Sequence, residues 1–313
     1  MKQNQYSGLA ERIRGNLSRV ILGKDEVITQ LIIALIAGGH VLLEDLPGTG
    51  KTMLLRAFAV SIGMDFKRIQ FTPDLLPSDL TGIYFYNQKN GEFEFRPGPL
   101  FAGVILADEI NRATPRSQSA LLEVMEEHQI SIDGITHRMP EPYLVMATEN
   151  PIESYGTFPL PEAQLDRFLM RLSMGYMQRE DELMVMARED TRDIVSSLSP
   201  VTDREEILSL MNAYREVRVS DELTAYIMDL VEYTRKSQRL SCGVSARGSI
   251  ALYRTAQIRA ALSGRDYVIP EDVKQEARVV FPHRIIMIER SHVDNDGFIE
   301  DMLETVPVPL ENV

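Results

Sequence analysis

The first half of the chain alternates between two hydrophobic patterns, one with the spacing of a helix and one of short apolar runs. We expect helices at residues 6–20, 25–38, 52–62 and 115–127. We expect strands at residues 40–44, 67–71, 103–107 and 143–147. Apolar strands that alternate with helices are typical of a parallel sheet with helices on both faces. The pattern therefore predicts an α/β fold for residues 1–175.

One segment of this region, residues 82–97, has the pattern of a hairpin. Ile83 and Phe85 alternate with polar residues, and Phe93 and Phe95 do the same after Asn90-Gly91. Alternation on both sides of an Asn-Gly pair is a strong hairpin signal. A hairpin between a helix and the next parallel strand is an insertion into the α/β fold.

The pattern changes after residue 175. Residues 176–200 predict a charged helix followed by a small polar linker. Amphipathic helices are expected at residues 203–212, 220–238, 245–263 and 270–278. Residues 201–313 are therefore predicted to form a small helical domain.

Composition and charge restrict the setting of the protein. The 33 Lys and Arg against 46 Asp and Glu give a formal charge of −13 and a pI of about 5.0. Such a chain is a poor match to duplex DNA or an anionic membrane. Cys242 is the single cysteine, so no intramolecular disulfide can form, which fits a reducing compartment. The first residues lack the apolar core of a signal peptide. The apolar run at residues 28–37 is too short to span a bilayer. We expect a soluble cytoplasmic protein with no membrane span and no nucleic-acid partner.

The stretch LLEDLPGTGKTMLLRAFA resembles a phosphate-binding loop, although Asp45 stands where the first glycine is usual. It follows an apolar strand and opens a helix, whose first N–H groups form an anion site. Lys51 would contact the β- and γ-phosphates and Thr52 would bind Mg²⁺. The expected nucleotide contacts are Pro47, Gly48, Thr49, Gly50, Lys51, Thr52 and Met53. A plain strand–turn–helix with a surface lysine is the alternative.

Two further strand ends carry polar side chains suited to phosphoryl transfer. Asp108 ends the run GVILAD and is predicted to hold Mg²⁺, and Glu109 would polarise the attacking water. Asn150, after LVMATE, could reach the γ-phosphate or the water. Locally, the alternatives are a solvated strand end and a turn asparagine before Pro151.

These blocks, together with RPGPLF, ADEINRATPRSQSALLEVMEEHQISIDG, ATENPIESYGTFPLPEAQLDRF and GVSARG, resemble the MoxR family. That family belongs to the helix-2-insert branch of the AAA+ ATPases, as do the magnesium-chelatase ATPase subunits. The resemblance covers roughly residues 10–290. It implies a P-loop α/β core followed by a helical lid, with ATP and Mg²⁺ as cofactors. The family's loop often begins Glu-Asp, so Asp45 does not indicate a dead site.

The resemblance also implies roles for individual residues. Arg167 of LPEAQLDRF matches the arginine finger, which would reach the γ-phosphate of a neighbouring subunit; a structural pair with Asp166 is the alternative. Arg247 matches the second-sensor arginine, in cis or in trans, or is a surface arginine. The segment from Ile21 to Gly23 matches the adenine contact, although apolar packing explains it as well.

The function implied is that of a ring-forming motor, most often a homo-hexamer, whose inserted hairpin projects toward the pore. Such proteins remodel or assemble partner proteins, often with a von Willebrand A-domain protein and in metalloenzyme maturation. A metal-chelatase motor subunit is the first alternative. A DNA-acting motor or transcription regulator, and a catalytically silent nucleotide-binding scaffold, are the others.

Overall fold

A computed structural model describes residues 3–44, 48–149, 157–187, 191–288 and 294–309. The strands are β1 (Val41–Glu44), β2 (Phe66–Gln70), β3 (Gly82–Asn87), β4 (Glu92–Pro97), β5 (Val104–Asp108), β6 (Gln129–Ile132), β7 (Ile135–Arg138), β8 (Leu144–Glu149), β9 (Met170–Leu172), β10 (Leu240–Cys242) and β11 (Ile286–Met287). The helices are α1 (Gln3–Leu17), α2 (Asp25–Ala37), α3 (Lys51–Ser61), α4 (Pro77–Thr81), α5 (Pro115–Glu127), α6 (Glu162–Leu165), α7 (Arg179–Met186), α8 (Thr191–Ser196), α9 (Arg204–Ala213), α10 (Asp221–Lys236), α11 (Ala246–Leu262), α12 (Pro270–Val280) and α13 (Asn295–Thr305).

Five strands form one parallel sheet in the order β2-β5-β8-β1-β9. Three antiparallel pairs, β3–β4, β6–β7 and β10–β11, lie outside it. Since all five strands run the same way, the chain leaves the sheet at one edge and re-enters it at the other. Side chains that follow β1, β5 and β8 are therefore gathered at the carboxyl edge, where ligands bind in open α/β sheets.

Alternate residues of the buried strands point into two separate cores. Leu43, Leu106 and Met146 belong to a cluster that includes α1, α2 and α3 and continues into the helices after residue 200. Leu42 and Ile105 face a second cluster containing buried residues of α4 and α5. The period-2 alternation is what a sheet with both faces covered requires. The C-terminal helices thus pack on one face through a continuous apolar core.

Local signals in the sequence set the ends of the C-terminal helices. Ser220 and Ser245 accept hydrogen bonds from backbone N–H groups in the first turns of α10 and α11. Capping by serine stabilises a helix by about 1 kcal/mol. Acidic residues lie in the first turn of α10 and basic ones in its last turn, which complements the helix dipole.

The α/β fold with a following helical lid is confirmed, as are the predicted strands and the inserted hairpin. Several features differ from expectation. The β6–β7 hairpin, the sheet strand β9, the antiparallel pair β10–β11 and helix α13 were not predicted, and the described part of residues 176–200 contains two helices, not one. Within the described residues, no helix combines the length and the apolar character needed to cross a membrane.

Candidate active site

The predicted phosphate loop lies at the carboxyl edge of the sheet, between β1 and α3. Gly48 and Gly50 have φ values of 85° and 89°, a region that glycine adopts without strain. No atom lies within 4 Å of a Cβ built at either position, so both face open space. Helix α3 has a glycine as its N-cap and lacks acidic residues in its first turn, which leaves its N-terminus suited to an external anion.

A cavity of about 450 Å³ opens beside this loop. Its lining includes Gly48, Thr49, Gly50, Lys51, Thr52, Met53, Asp108 and Glu109. Residues from two separate sequence motifs are therefore brought together, because β1 and β5 end at the same edge. Pro47 and Asn150 lie outside the described residues.

The carboxylate of Asp108 is held from two sides. Thr148 donates its hydroxyl hydrogen to Oδ1 at 2.7 Å, and Arg68 of β2 donates to Oδ2 at 2.6 and 3.0 Å. The Arg68 side chain is about half exposed and lines the same cavity. Asp108 is thus oriented by its neighbours. A metal ion at this carboxylate would have to displace the Arg68 guanidinium or share the carboxylate with it.

Glu109 is fixed by both its backbone and its side chain. Its φ of 57° is unusual for a residue other than glycine, and its N–H donates to Thr148 Oγ1 at 2.8 Å. Its carboxylate oxygen Oε2 accepts from Gln70 Nε2 at 2.7 Å and from Arg112 Nη1 at 3.0 Å. Backbone strain of this kind often occurs at functional sites. Glu109 therefore lines the cavity next to Asp108 in a fixed conformation.

A third acidic residue in the cavity, Glu149, has an altered protonation equilibrium. Burial, and next the nearby carboxylate of Glu44, raise the pKa of Glu149 to about 7. Glu44 and Glu149 are register partners on β1 and β8, so their side chains share the strand ends. Near neutral pH this carboxyl group is part protonated, which lowers the negative charge that a bound triphosphate would meet.

The residues present fit a magnesium nucleotide. The open glycine loop and the N-terminus of α3 match the needs of a triphosphate. Thr52 and Asp108 offer the hydroxyl and carboxylate oxygens that Mg²⁺ prefers, and they line one cavity. Ile21 is buried in the apolar core, and Gly23 lies against the Asp181 carboxylate. Neither residue lines this cavity in the described part of the chain, so the adenine contact stays a prediction.

Arg167 and Arg247 lie close together, at a site separate from the cavity beside the phosphate loop. Arg167 Nη2 is 3.0 Å from Glu126 Oε2, and Arg247 Nη2 is 2.5 Å from Glu126 Oε1. A second carboxylate, Asp166, pairs with the buried Arg284 at 2.8 Å and lies 3.8 Å from Arg247. Both predicted arginines therefore share one partner, Glu126, and belong to one cluster.

This arginine cluster borders a cavity of about 270 Å³ that is rich in positive charge. Its charged lining consists of Arg167, Arg247, Arg254, Arg284 and Glu126. Four guanidinium groups line the cavity with one carboxylate, and Asp166 pairs with Arg284 beside it, so the net charge of the cluster still favours an anion.

The arginine cluster and the phosphate loop lie at opposite edges of the sheet. The arginine cavity is lined by Gly38 and Gly39, which precede β1, whereas the phosphate loop follows β1. Arg167 likewise precedes β9. Four residues of β1 at a strand rise of ~3.3 Å separate the two edges by on the order of 13 Å. The arginines thus lie at the sheet edge away from the phosphate loop of their own chain.

Sequence reasoning missed Arg68, Gln70 and Glu126. Arg68 and Gln70 belong to β2, which contacts β5 only because of the order of strands in the sheet. Glu126 is one of three acidic residues near the end of α5, and nothing in the sequence distinguishes it. Only the fold brings it to Arg167 and Arg247.

Residues 40–170 match the family model "ATPase family associated with various cellular activities (AAA)", and residues 232–304 match the "AAA lid domain". The two matches cover the region of the phosphate loop and much of the C-terminal helical part.

Several proteins are similar over nearly the whole chain. The chain is 47% identical to YeaC of Bacillus subtilis, an uncharacterized protein, over 95% of this chain and 93% of that one. It is 39% identical to Chaperone MoxR1 of Mycobacterium tuberculosis, over 96% of this chain and 83% of the other. A crystal structure of a candidate ATPase from Cytophaga hutchinsonii superposes with a TM-score of 0.92 at 38% identity, covering 99% and 97% of the two chains.

Proposed function

The chain belongs to the MoxR family of AAA+ ATPases, and from this premise we propose that it hydrolyses ATP to ADP and phosphate between adjacent copies of itself. One copy binds the nucleotide at its phosphate loop, and the next copy supplies Arg167 and Arg247. The observation that supports this is the position of both arginines at the sheet edge opposite the phosphate loop. A homo-hexameric ring satisfies the arrangement at every interface, because each copy then gives and receives arginines.

Within one copy, we propose a role for each polar residue of the phosphate-loop cavity. The N–H groups of residues 48–53 and the Lys51 ammonium bind the β- and γ-phosphates. Thr52 and Asp108 would hold Mg²⁺, which neutralises phosphate charge when bound. Glu109 orients and polarises the attacking water. Asn150, outside the described residues, is proposed to contact the γ-phosphate or that water.

The arginines of the neighbouring copy complete the site electrostatically. Negative charge spreads over the transferring phosphoryl group in the transition state, and a guanidinium stabilises it there. Glu126 holds Arg167 and Arg247 together in the structure. We propose that both release Glu126 when a triphosphate approaches, so that Arg247 acts in trans together with Arg167.

Three substitutions test the proposal. Lys51→Ala should abolish nucleotide binding, and Glu109→Gln should keep binding while losing turnover. Arg167→Ala should bind ATP normally and hydrolyse it about 10³-fold more slowly or worse. Binding is measured with a fluorescent ATP analogue and turnover by phosphate release. Unchanged turnover in Arg167→Ala would contradict catalysis between copies.

The mechanical role proposed is remodelling or assembly of a partner protein in the cytoplasm, with a step of metalloenzyme maturation as one such role. The inserted hairpin, β3–β4, exposes Phe93, Tyr86 and Ile83 to solvent, and exposed aromatic side chains are suited to gripping a protein client. A von Willebrand A-domain protein is the proposed partner. Glu109→Gln held in ATP should retain it in a pull-down, whereas Lys51→Ala should not; a porphyrin-binding protein in its place would support the chelatase alternative.

A further inference from the structure

An apolar groove lies between helices α10 and α11, with a volume of about 510 Å³. Its apolar lining includes Ile227, Met228, Ile250 and Tyr253. Ile250 is 51% exposed and Met228 39% exposed, so the groove is open to solvent. The groove also carries two basic side chains, Arg215 and Arg254. It therefore suits a partner that is apolar and negatively charged.

The groove is continuous with the arginine cavity. Ile250 and Arg254 line both of them, on successive turns of α11. A neighbouring copy whose phosphates reach Arg167 and Arg247 must therefore place the surroundings of its phosphate loop near this groove.

Helix α7 is the element that fits. It follows β9, and since β9 is parallel to β1, the chain leaves the sheet at the same edge as the phosphate loop and on the adjacent strand. Three of its apolar side chains, Leu183, Met184 and Met186, are 55%, 56% and 77% exposed. Large apolar side chains grouped on one short helix indicate an interaction surface.

The charges are also complementary. The first turn of α7 contains Glu180, Asp181 and Glu182, whereas the groove contains Arg215 and Arg254. Opposite charges at the rim of an apolar contact fix its orientation and disfavour other partners. Methionine side chains adapt their shape to an irregular groove, as those of α7 would have to do.

We propose that the groove between α10 and α11 receives helix α7 of the neighbouring copy, an interaction that rests on the proposed function. The contact holds the arginine cluster of one copy against the phosphate loop of the next. Its chemistry is specific: an acidic–apolar helix enters a basic–apolar groove. It gives the C-terminal helices a role in joining copies as well as in carrying Arg247.

Cysteine cross-linking tests this pairing directly. In a Cys242→Ser, Glu109→Gln background, one chain carries Met184→Cys and a second chain carries Met228→Cys, so each chain has one thiol. After mixing with ATP and a mild oxidant, we expect a disulfide-linked dimer at least ~10-fold more abundant than in either chain alone or without ATP. A chain with Ile135→Cys, equally exposed but on β7, should not cross-link to Met228→Cys.

Paired charge substitutions give an independent result. Met184→Asp should weaken ATP-dependent self-association by about 10-fold or more in sedimentation, and adding Met228→Lys should restore it. If Met184→Asp leaves assembly intact, or if no mixed disulfide forms, this contact is wrong. If mixed Lys51→Ala and Arg167→Ala chains still regain turnover in that case, catalysis between copies is supported and only the α7 contact is wrong. If wild-type chains do not associate in ATP, and mixed Lys51→Ala and Arg167→Ala chains regain no turnover, both proposals fail.

Discussion

Asp108 illustrates at the level of one residue how the site is prepared. Its Oδ1 accepts from Thr148 and its Oδ2 from Arg68, so each carboxylate oxygen has a hydrogen-bond donor within the chain. A cation beside a carboxylate competes with a metal ion for the same oxygens. For an ion pair whose arginine is half exposed, this competition amounts to about 0.2–1 kcal/mol.

We therefore expect Arg68→Ala to lower the Mg²⁺ concentration needed for tight ATP binding by roughly two- to five-fold. The measurement is a Mg²⁺ titration of fluorescent nucleotide binding at fixed pH. Lys67→Ala, on the same strand and also exposed, is the matched control and should leave the titration unchanged. A higher Mg²⁺ requirement in Arg68→Ala would mean instead that this arginine assists the phosphates.

His40 is a second residue whose environment has a measurable consequence. Its Nδ1 accepts the N–H of Val145 and its Nε2 donates to the carbonyl of Met125, so the neutral ring joins β1, β8 and α5. Burial, and next the charge of His128, lower the pKa of His40 to about 3. The folded state therefore binds fewer protons than the unfolded state between pH 3 and 6.5, and stability is lost as the pH falls through this range.

Between pH 6.5 and 4.5 the free energy of unfolding should fall by about 2–3 kcal/mol more in the wild type than in His40→Gln. Urea unfolding at several pH values measures it. Glu149 titrates over the same range in the opposite sense, but it is present in both proteins and drops out of the difference. Equal pH slopes would show that His40 is not held neutral.

At the scale of elements, the two hairpins show what sequence patterns can and cannot predict. The β3–β4 hairpin was predicted from Asn90-Gly91, and β6–β7 was not. Its turn, Asp133-Gly134, has φ values of 50° and 80°, which is the conformation that an Asp-Gly pair favours. The signal was present, but the apolar alternation around it is weak.

The contact between these hairpins was not predictable. The His137 ring of β7 stacks on Phe95 of β4 with centroids 4.2 Å apart, and its Nε2 is 3.1 Å from the Tyr84 hydroxyl. Such a contact depends on where two insertions leave the same sheet. Sequence periodicity predicts single elements and their faces, whereas packing between inserted elements requires the structure.

The base of the β3–β4 hairpin depends on a close backbone approach. A Cβ at Gly98 would lie 2.2 Å from the carbonyl oxygen of Leu80 and 2.6 Å from the nitrogen of Gly82. Backbone atoms cannot move aside easily, so Gly98→Ala should lower the free energy of unfolding by about 1–3 kcal/mol. It should also reduce hydrogen-exchange protection in residues 82–97.

Gly8→Ala is the control for this substitution. Gly8 lies in α1, and the nearest atom to its added Cβ is at 3.6 Å, an ordinary contact. Alanine in a helix should be neutral or stabilising by roughly 0.5–1 kcal/mol. If both substitutions have the same effect on stability and exchange, the close approach at Gly98 does not limit the hairpin.

On the scale of the whole molecule, the C-terminal helices and the sheet behave as one packed body. Helix α11 packs on α1 and α2, and a single apolar cluster extends from the sheet into these helices. The buried side chain of Arg284 also ties Asp166 to the carbonyl of Leu169 beside β9. Arg167 and Arg247 are thus carried on a common support and would approach a neighbour together.

The sequence predicted the motifs at both sheet edges, because each motif is contiguous or follows a strand. It could not predict which motifs face each other, since that depends on the strand order and on how the helices after residue 200 fold back. Lys51 and Asp108 meet in one cavity because β1 and β5 run parallel. Arg247 meets Arg167 at the carboxylate of Glu126, which is 121 residues from Arg247 in sequence.

Mixing two inactive chains is the strongest test of catalysis between copies. Lys51→Ala chains cannot bind nucleotide but retain Arg167, whereas Arg167→Ala chains bind nucleotide but cannot supply Arg167 to a neighbour. In randomly mixed equimolar rings, about a quarter of interfaces place an intact phosphate loop against an intact Arg167. We therefore expect phosphate release to reach up to about a quarter of the wild-type rate, from two chains that are each nearly inactive.

The same mixture made with Arg247→Ala in place of Arg167→Ala decides where the second arginine acts. Because Arg247 shares Glu126 with Arg167 at the edge away from its own loop, mixing with Lys51→Ala should restore turnover in this case too. If Arg247 instead acted on the nucleotide of its own chain, each productive loop would need its own Arg247, and mixing would restore nothing. Restoration with Arg167→Ala but not with Arg247→Ala would thus separate the two arginines, which the structure holds on one carboxylate.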